Sequence, residues 1–276
     1  GGYSHYVYEP KFVFVRPTAE VVKARSLSGS AFIDFVVAQT VIRPEYRNNR
    51  HELAKIIGTI DSVRNDRDIT ITSVSIKGFA SPESPYSNNT RLAKGRTEAL
   101  RQYVTTLYNF PPGFISTSYE PENWEGLRKF VAESNLPHRY EIIELIDGPR
   151  EPDNKEWKLK STYPEEYRYL LDVCYPALRR SDYRIEYIVR SFSDPEEIRR
   201  LVKQRPQKLS LAEFYVAAQG LDSNSEEFAE IFDVAVRMYP DDETSNLNAA
   251  NSEMVQGDLK GAERFITPEL KEFEDK

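Results

Sequence analysis

The apolar residues of this chain change period at Gly78, and that change limits the fold more than any other feature. Before it, DITITSVSIKGF (Asp68 to Phe79) is rich in β-branched residues and reads as a strand. After it, from about Asn89 to Tyr108, apolar side chains return every three or four residues, the spacing of one helix face. Pro82 and Pro85 stiffen the turn between them, and Ser87, Asn88 and Asn89 are cap-type residues ahead of the helix. A strand that hands over to an amphipathic helix belongs to a sheet with helices packed on it.

The flanking segments extend that pattern. KFVFVRP (11–17) and AFIDFVV (Ala31 to Val37) read as strands, separated by a polar break at Ser26–Ser30. Pro44 suits the first turn of a helix whose stripe is Leu53, Ile56, Ile57, Ile60 and Val63. In the strand ending at Phe79 the apolar pattern slips between Ile71 and Val74, which implies a bulge or a late start. Phe114 to Tyr119 is a short strand, and SDYRIEYIVRSF alternates Ile185, Tyr187 and Val189 as a strand does. Residues 120–180 carry several helical stripes, so they form a helical insertion with structure of its own. The expected class is α+β, a βαβαββ mixed sheet carrying that insertion, followed by an all-α region. The expected units are an N-terminal segment at 1–29, a sheet domain at 30–192 and helical repeats at 193–276.

On the helix after Gly78, Leu92, Ala99, Leu100, Tyr103 and Leu107 form the expected buried stripe, with Arg96 four residues from both Leu92 and Leu100. A guanidinium on a core-facing row must find acceptors, because an unpaired buried charge is costly. Either Arg96 reaches the edge, or it pairs with Asp34 or Glu83, or it awaits a ligand carboxylate.

At these residues the chain resembles a known family. A strand–helix–strand order, then Gly78, a short loop and Asn89-x-x-Leu92-x-x-x-Arg96, is similar to the OmpA-like peptidoglycan-binding module. The resemblance covers roughly residues 30–192. It implies that an aspartate in the loop and the helix arginine clamp the diaminopimelate of a peptidoglycan stem peptide. An amino-acid zwitterion suits one anion and one bidentate cation. The ligand set so implied is Arg96, Ser81, Asn89, Glu83 and Gly78. Here Ser81 stands at the aspartate position and Phe79 at that of the family's histidine or tyrosine. Half of the clamp is therefore intact; Glu83 can supply the missing carboxylate if the loop folds back, and an aspartate at position 81 would complete it. The GFASPES form, YRNNRHELAKI and the appended helices are similar to a subgroup of envelope proteins of Bacteroides-type bacteria, often associated with fimbrial assembly. That likeness implies a periplasmic or outer-membrane-associated protein, any signal or anchor lying outside this sequence, with an envelope or fimbrial protein as partner.

Composition narrows the alternatives. The formal net charge is −7, and nucleic-acid binding depends on phosphate neutralisation, so no nucleic-acid partner is expected. Three scattered histidines and the single Cys174 offer no metal-ligand spacing, and no cofactor is expected. The sequence has no G-x-S-x-G elbow, H-E-x-x-H or P-loop, and Cys174 lies in the apolar stripe of LLDVCYPAL, so a binding protein is expected rather than an enzyme.

Beyond Ser193 the pattern is wholly helical. A period of about 34 residues, that of tetratricopeptide repeats, relates Ser223 and Phe228 to Gly257 and Ala262, and Pro240 closes the first unit. The first pair is expected around Leu211–Gly220 and Glu226–Met238, burying Phe232 and Ala235. The second is expected around Ser245–Gln256 and Leu259–Phe265, burying Ala250 and Ala262. The N-terminal Trp and Tyr of the repeat pattern are missing.

Overall fold

The computed structural model describes residues 17 and 22–255. The expected strand at 11–17, and the expected helix Leu259–Phe265 with Gly257 and Ala262, lie outside the described residues apart from Pro17. The described residues divide into two compact units: Ala24–Ile188, and 189–255 together with residues 17, 22 and 23.

The first unit is α+β. Its elements run β1 (Lys23–Ala31), α1 (Asn49–Arg64), β2 (Ile69–Phe79), α2 (Tyr86–Tyr108) and β3 (Ile115–Glu120). Helices α3 (Trp124–Glu133), α4 (Arg139–Asp147), α5 (Pro152–Thr162), α6 (Pro164–Tyr169) and α7 (Tyr175–Leu178) follow, then β4 (Ser181–Val189). The four strands form one mixed sheet in the order β1-β4-β2-β3. Strands β2 and β3 are parallel, with Val74 opposite Ile115 and Phe79 opposite Glu120. Strand β4 thus lies in the same sheet as Ser73–Phe79, between β1 and β2.

One core joins the sheet to both helices. Ile56, Ile60 and Val63 of α1 and Leu100, Val104 and Tyr108 of α2 pack with Val74, Ile76 and Ile185. The five helices between β3 and β4 enclose a second core around Leu127, Ile142, Leu159, Leu170 and Tyr175. That burial is what lets a long insertion stand as a folded lobe. Cys174 is part of this core, and burial pushes its thiol pKa up to about 12.

Several expectations need correction. Ala31–Val37 is not a strand; β1 lies earlier, at Lys23–Ala31, across the supposed polar break. Its outward positions, such as Ser26 and Ser28, are polar, and only every second residue faces inward. Residues 32–36 leave the sheet because their backbone is satisfied by α1 side chains. Asn49 Oδ1 accepts from Asp34 N at 2.8 Å, Asn49 Nδ2 donates to Asp34 O at 2.9 Å, and Glu52 Oε1 accepts from Phe32 N at 2.8 Å. The same wholly buried Asn49 begins α1, so Pro44 precedes the helix instead of opening it. Helix α2 starts at Tyr86, with Pro85 at the cap position and no side-chain cap, so Ser87–Asn89 lie inside its first turns. Its buried face is Leu92, Ala93, Thr97, Leu100, Val104 and Tyr108, while Leu107 is exposed. Strand β2 begins at Ile69, so the slip is not a late start. Ile69 and Ile71 pack against the same core as Val74 and Ile76.

In the second unit α8 (Pro195–Gln204), α9 (Leu211–Ala218), α10 (Glu226–Met238) and α11 (Glu243–Val255) pack in sequence. Phe232, Ala235, Ala249 and Ala250 are buried. Ser210 and Glu213 form a reciprocal cap at the start of α9. Glu213 also accepts from Lys23 Nζ at 2.8 Å and from Phe192 N at 2.6 Å.

Gly78 marks the closest approach of β2 and α2. A Cβ there would stand 1.9 Å from Thr97 Oγ1, a buried hydroxyl that donates to Ala93 O at 2.7 Å. Gly78→Ala should therefore destabilise this unit by about 1–3 kcal/mol, and adding Thr97→Ala should recover part of the loss. Denaturant titration of the single and double variants checks this; additive losses would show that the two positions do not oppose each other.

Candidate functional site

The β1–α1 segment, the β2–α2 loop and the start of α2 enclose a cavity of about 310 Å³. That lies at the small end of ligand sites, which run to roughly 300–1,000 Å³. Asp34, Arg47, Ser81, Glu83, Arg96 and Arg179 line it.

Arg96 reaches the cavity from the edge of α2. Its guanidinium lies 4.8 Å from the centroid of the Phe35 ring, and its Nε donates to Gln39 O at 3.1 Å. Gly95 makes this possible: a Cβ there would be 2.7 Å from Thr40 Cγ2, so the 38–40 loop sits directly on the helix. Burial lowers the Arg96 pKa below its ordinary value, and the charges of Arg179 and Arg91 add to the effect. Among the described residues Arg96 has no carboxylate partner, and its two terminal nitrogens make no hydrogen bond. Of the partners weighed for it, Asp34 makes no side-chain bond among the described residues, and Glu83 pairs with Arg179 instead.

Arg179, in the turn between α7 and β4, was not singled out by the sequence. Its Nε donates to Ser81 Oγ at 3.0 Å and its Nη2 to Glu83. Ser81 is only 4% exposed. The serine therefore orients a second guanidinium rather than presenting its hydroxyl to open solvent. Asn89 is equally committed: its Nδ2 donates to Ser84 O and to Glu122 Oε2, both at 2.6 Å. It lines the cavity while its amide hydrogens hold the loop. Gly78 lies behind the cavity, where β2 meets α2. Of the residues singled out by sequence, the fold brings Ser81, Glu83, Asn89 and Arg96 to one cavity and places Gly78 outside its lining.

The cavity rim is conformationally constrained. Ala38 and Arg47 adopt φ of 61° and 49°, and both line the cavity. Non-glycine residues pay for that region and keep it where surrounding structure enforces it. By contrast, the wider groove of about 530 Å³ over the sheet's open face has its charges satisfied internally. There Lys77 pairs with Glu120, Arg184 with Glu186, and Asp182 accepts from Ser30 and Arg180.

The insertion lobe supports the loop from behind. Asp153 Oδ1 accepts from Tyr86 N at 2.7 Å, at the start of α2. Within the lobe, Glu156 accepts from the Tyr167 hydroxyl and from the Tyr175 hydroxyl, the latter at 2.9 Å. Burial pushes the Glu156 pKa up to about 7, aided by the charges of Glu122 and Glu83 and opposed by the two tyrosine hydrogen bonds.

No protein-family model matches the chain, and no curated protein matches it.

Because Glu156 holds its proton more tightly folded than unfolded, its contribution is fully present below pH 4.5 and fades as pH rises towards 7. Between about pH 5 and about pH 8 this group should cost the fold on the order of 2–3 kcal/mol. Glu156→Gln should remove that part of the pH dependence and raise stability at about pH 8. Urea midpoints at both pH values check it; an unchanged pH dependence in the variant would show that Glu156 titrates normally.

Proposed function

We propose that the chain is a non-enzymatic binding protein of the cell envelope. In this reading the unit at 24–188 is an OmpA-like module whose cavity takes a diaminopimelate-containing peptidoglycan stem peptide. The observation that carries the reading is Arg96: a guanidinium drawn to a cavity wall by one backbone carbonyl and one aromatic face, with no internal carboxylate among the described residues. An arginine kept only for structure would be expected to find its counter-charge within the fold. Asp34, on the same cavity and free of side-chain bonds among the described residues, offers the anion that Ser81 does not. Asp34 for an ammonium and Arg96 for a carboxylate suit an amino-acid zwitterion. The order of strands and helices and the lobe ahead of β4 agree with this module.

The helices from α9 onward are, in the same reading, tetratricopeptide-like and hold an envelope or fimbrial protein, as stacked helix pairs do. Their support is the packing of α9 on α10 and of α10 on α11, with small residues Ala235, Ala249 and Ala250 buried.

A second reading, a ligand-free adaptor in fimbrial or outer-membrane assembly, is favoured by one observation. Ser81 and Glu83, the loop positions nearest to the expected clamp, are already engaged by Arg179.

Titration calorimetry with a diaminopimelate-containing stem peptide separates the two. Removing a charged hydrogen bond of roughly 1.5–3 kcal/mol lowers affinity about ten- to a hundredfold. Wild type should bind and Arg96→Ala, checked for folding by circular dichroism, should lose at least about tenfold. Absence of binding by the wild type at millimolar peptide would leave the adaptor reading in its place.

A further inference from the structure

We propose that the cavity grips its ligand's carboxylate between two guanidiniums, Arg96 and Arg179, and that Ser81 is a positioning residue for the second of them. This rests on the binding reading above and extends it to a residue in the turn between α7 and β4.

Arg47, Arg96 and Arg179 face the cavity against two carboxylates, Asp34 and Glu83, so the lining is net positive. Glu83 is spent on Arg179 and forms no ion pair with Arg96. Arg96 and Arg179 also share the walls of a small adjoining cleft with Phe35 and Thr97. Their mutual repulsion depresses the Arg96 pKa beyond the effect of burial. Two cations served by the single carboxylate of Glu83, which pairs only with Arg179, are a standing cost that a bound carboxylate reduces.

Geometry supplies the donors. After their internal bonds, both terminal nitrogens of Arg96 and Nη1 of Arg179 make no hydrogen bond among the described residues. A carboxylate has two oxygens and about four lone-pair sites, enough to accept from both arginines at once. Ser81 holds Arg179 by Nε and so leaves Nη1 for a ligand. An aspartate at position 81 would meet the same Nε and place a second anion, beside Glu83, on Arg179, so that a ligand carboxylate would be repelled there. The expected sign of that substitution is therefore the reverse of the one implied by the family resemblance.

The exposed pair with Glu83 is weakly held, since the two side chains are 40% and 49% exposed. It acts as an internal competitor for Arg179, which gives a second variant with an opposite effect.

The test is calorimetric titration with diaminopimelate-containing stem peptide, its diaminopimelate carboxylate either free or amidated. Wild type should prefer the free acid by at least about tenfold, the equivalent of one charged hydrogen bond. Arg179→Gln should lose most of that preference and keep residual binding through Arg96. Ser81→Asp should bind the free acid about tenfold more weakly than wild type, and Glu83→Gln should bind it several-fold more tightly. Melting temperatures accompany each titration, and the gain in Glu83→Gln cannot come from a damaged fold. If Arg96→Ala loses binding while Arg179→Gln keeps wild-type affinity and preference, the binding reading stands and this inference fails. Tighter binding by Ser81→Asp, or no gain in Glu83→Gln, would also overturn it. A wild type that binds neither peptide overturns both.

Discussion

The buried carboxylate of Glu122 holds together the end of the sheet on which the cavity is built. It is 6% exposed and accepts from Asn89 Nδ2 at 2.6 Å and from Trp124 Nε1 at 2.9 Å. One acid thus ties the first turns of α2 to the start of the helical lobe. The neighbouring backbone continues the seam: Asn123 N donates to Ala80 O, and Ala80 N to Glu120 O. Burial raises the Glu122 pKa, and its two hydrogen bonds oppose that rise. A buried carboxylate that lost either donor would carry the full desolvation cost, so the loop and the lobe are held in one arrangement. The loop bearing Ser81 and Glu83 is therefore short and anchored at both ends, and Arg96, nearly three turns into α2, has a fixed cavity to face.

Against that anchored frame, the distribution of charge around the cavity carries a meaning that residue types alone do not. Lobe and sheet pair many of their exposed charges internally, as in Arg128 with Asp147 and Lys77 with Glu120. Such pairs contribute little individually. Arg96 departs from that habit while sitting half-buried beside a second arginine. Its aromatic partner Phe35 and the single bond to Gln39 offset part of the cost by cation–π attraction and hydrogen bonding. In the proposed function, an incoming carboxylate would satisfy the remaining deficit.

Legibility in the sequence followed the range of the forces involved. Local periodicity was readable: the α1 stripe, the α10 helix at Glu226–Met238, and β4 with Ile185 and Val189 facing inward. Where a side chain far along the chain decided the outcome, periodicity failed. AFIDFVV has the composition of a strand, yet Asn49 and Glu52 of α1 take up the backbone groups of Asp34 and Phe32. KARSLSGSA looks like a linker because its outward positions, Ala24, Ser26 and Ser28, are small or hydroxylic and its inward phase includes Lys23 and Arg25. The start of α2 at Tyr86 depends on Asp153, 67 positions away. At the site, Arg96 and its loop were readable from spacing within one helix and turn. Arg179 was not, because the residue it meets, Ser81, is 98 positions distant and no local pattern marks the pairing.

If the guanidinium of Arg96 takes an external carboxylate, as proposed, arginine side-chain resonances report on it directly. Nuclear magnetic resonance of the Nε–Hε groups, with Arg96 and Arg179 assigned by substitution, follows them during addition of diaminopimelate-containing stem peptide. The Arg96 and Arg179 signals should shift together and saturate, while that of Arg128, closed on Asp147, stays in place. Signals of Arg96 and Arg179 that remain where they were, at peptide concentrations that move other resonances, would contradict it.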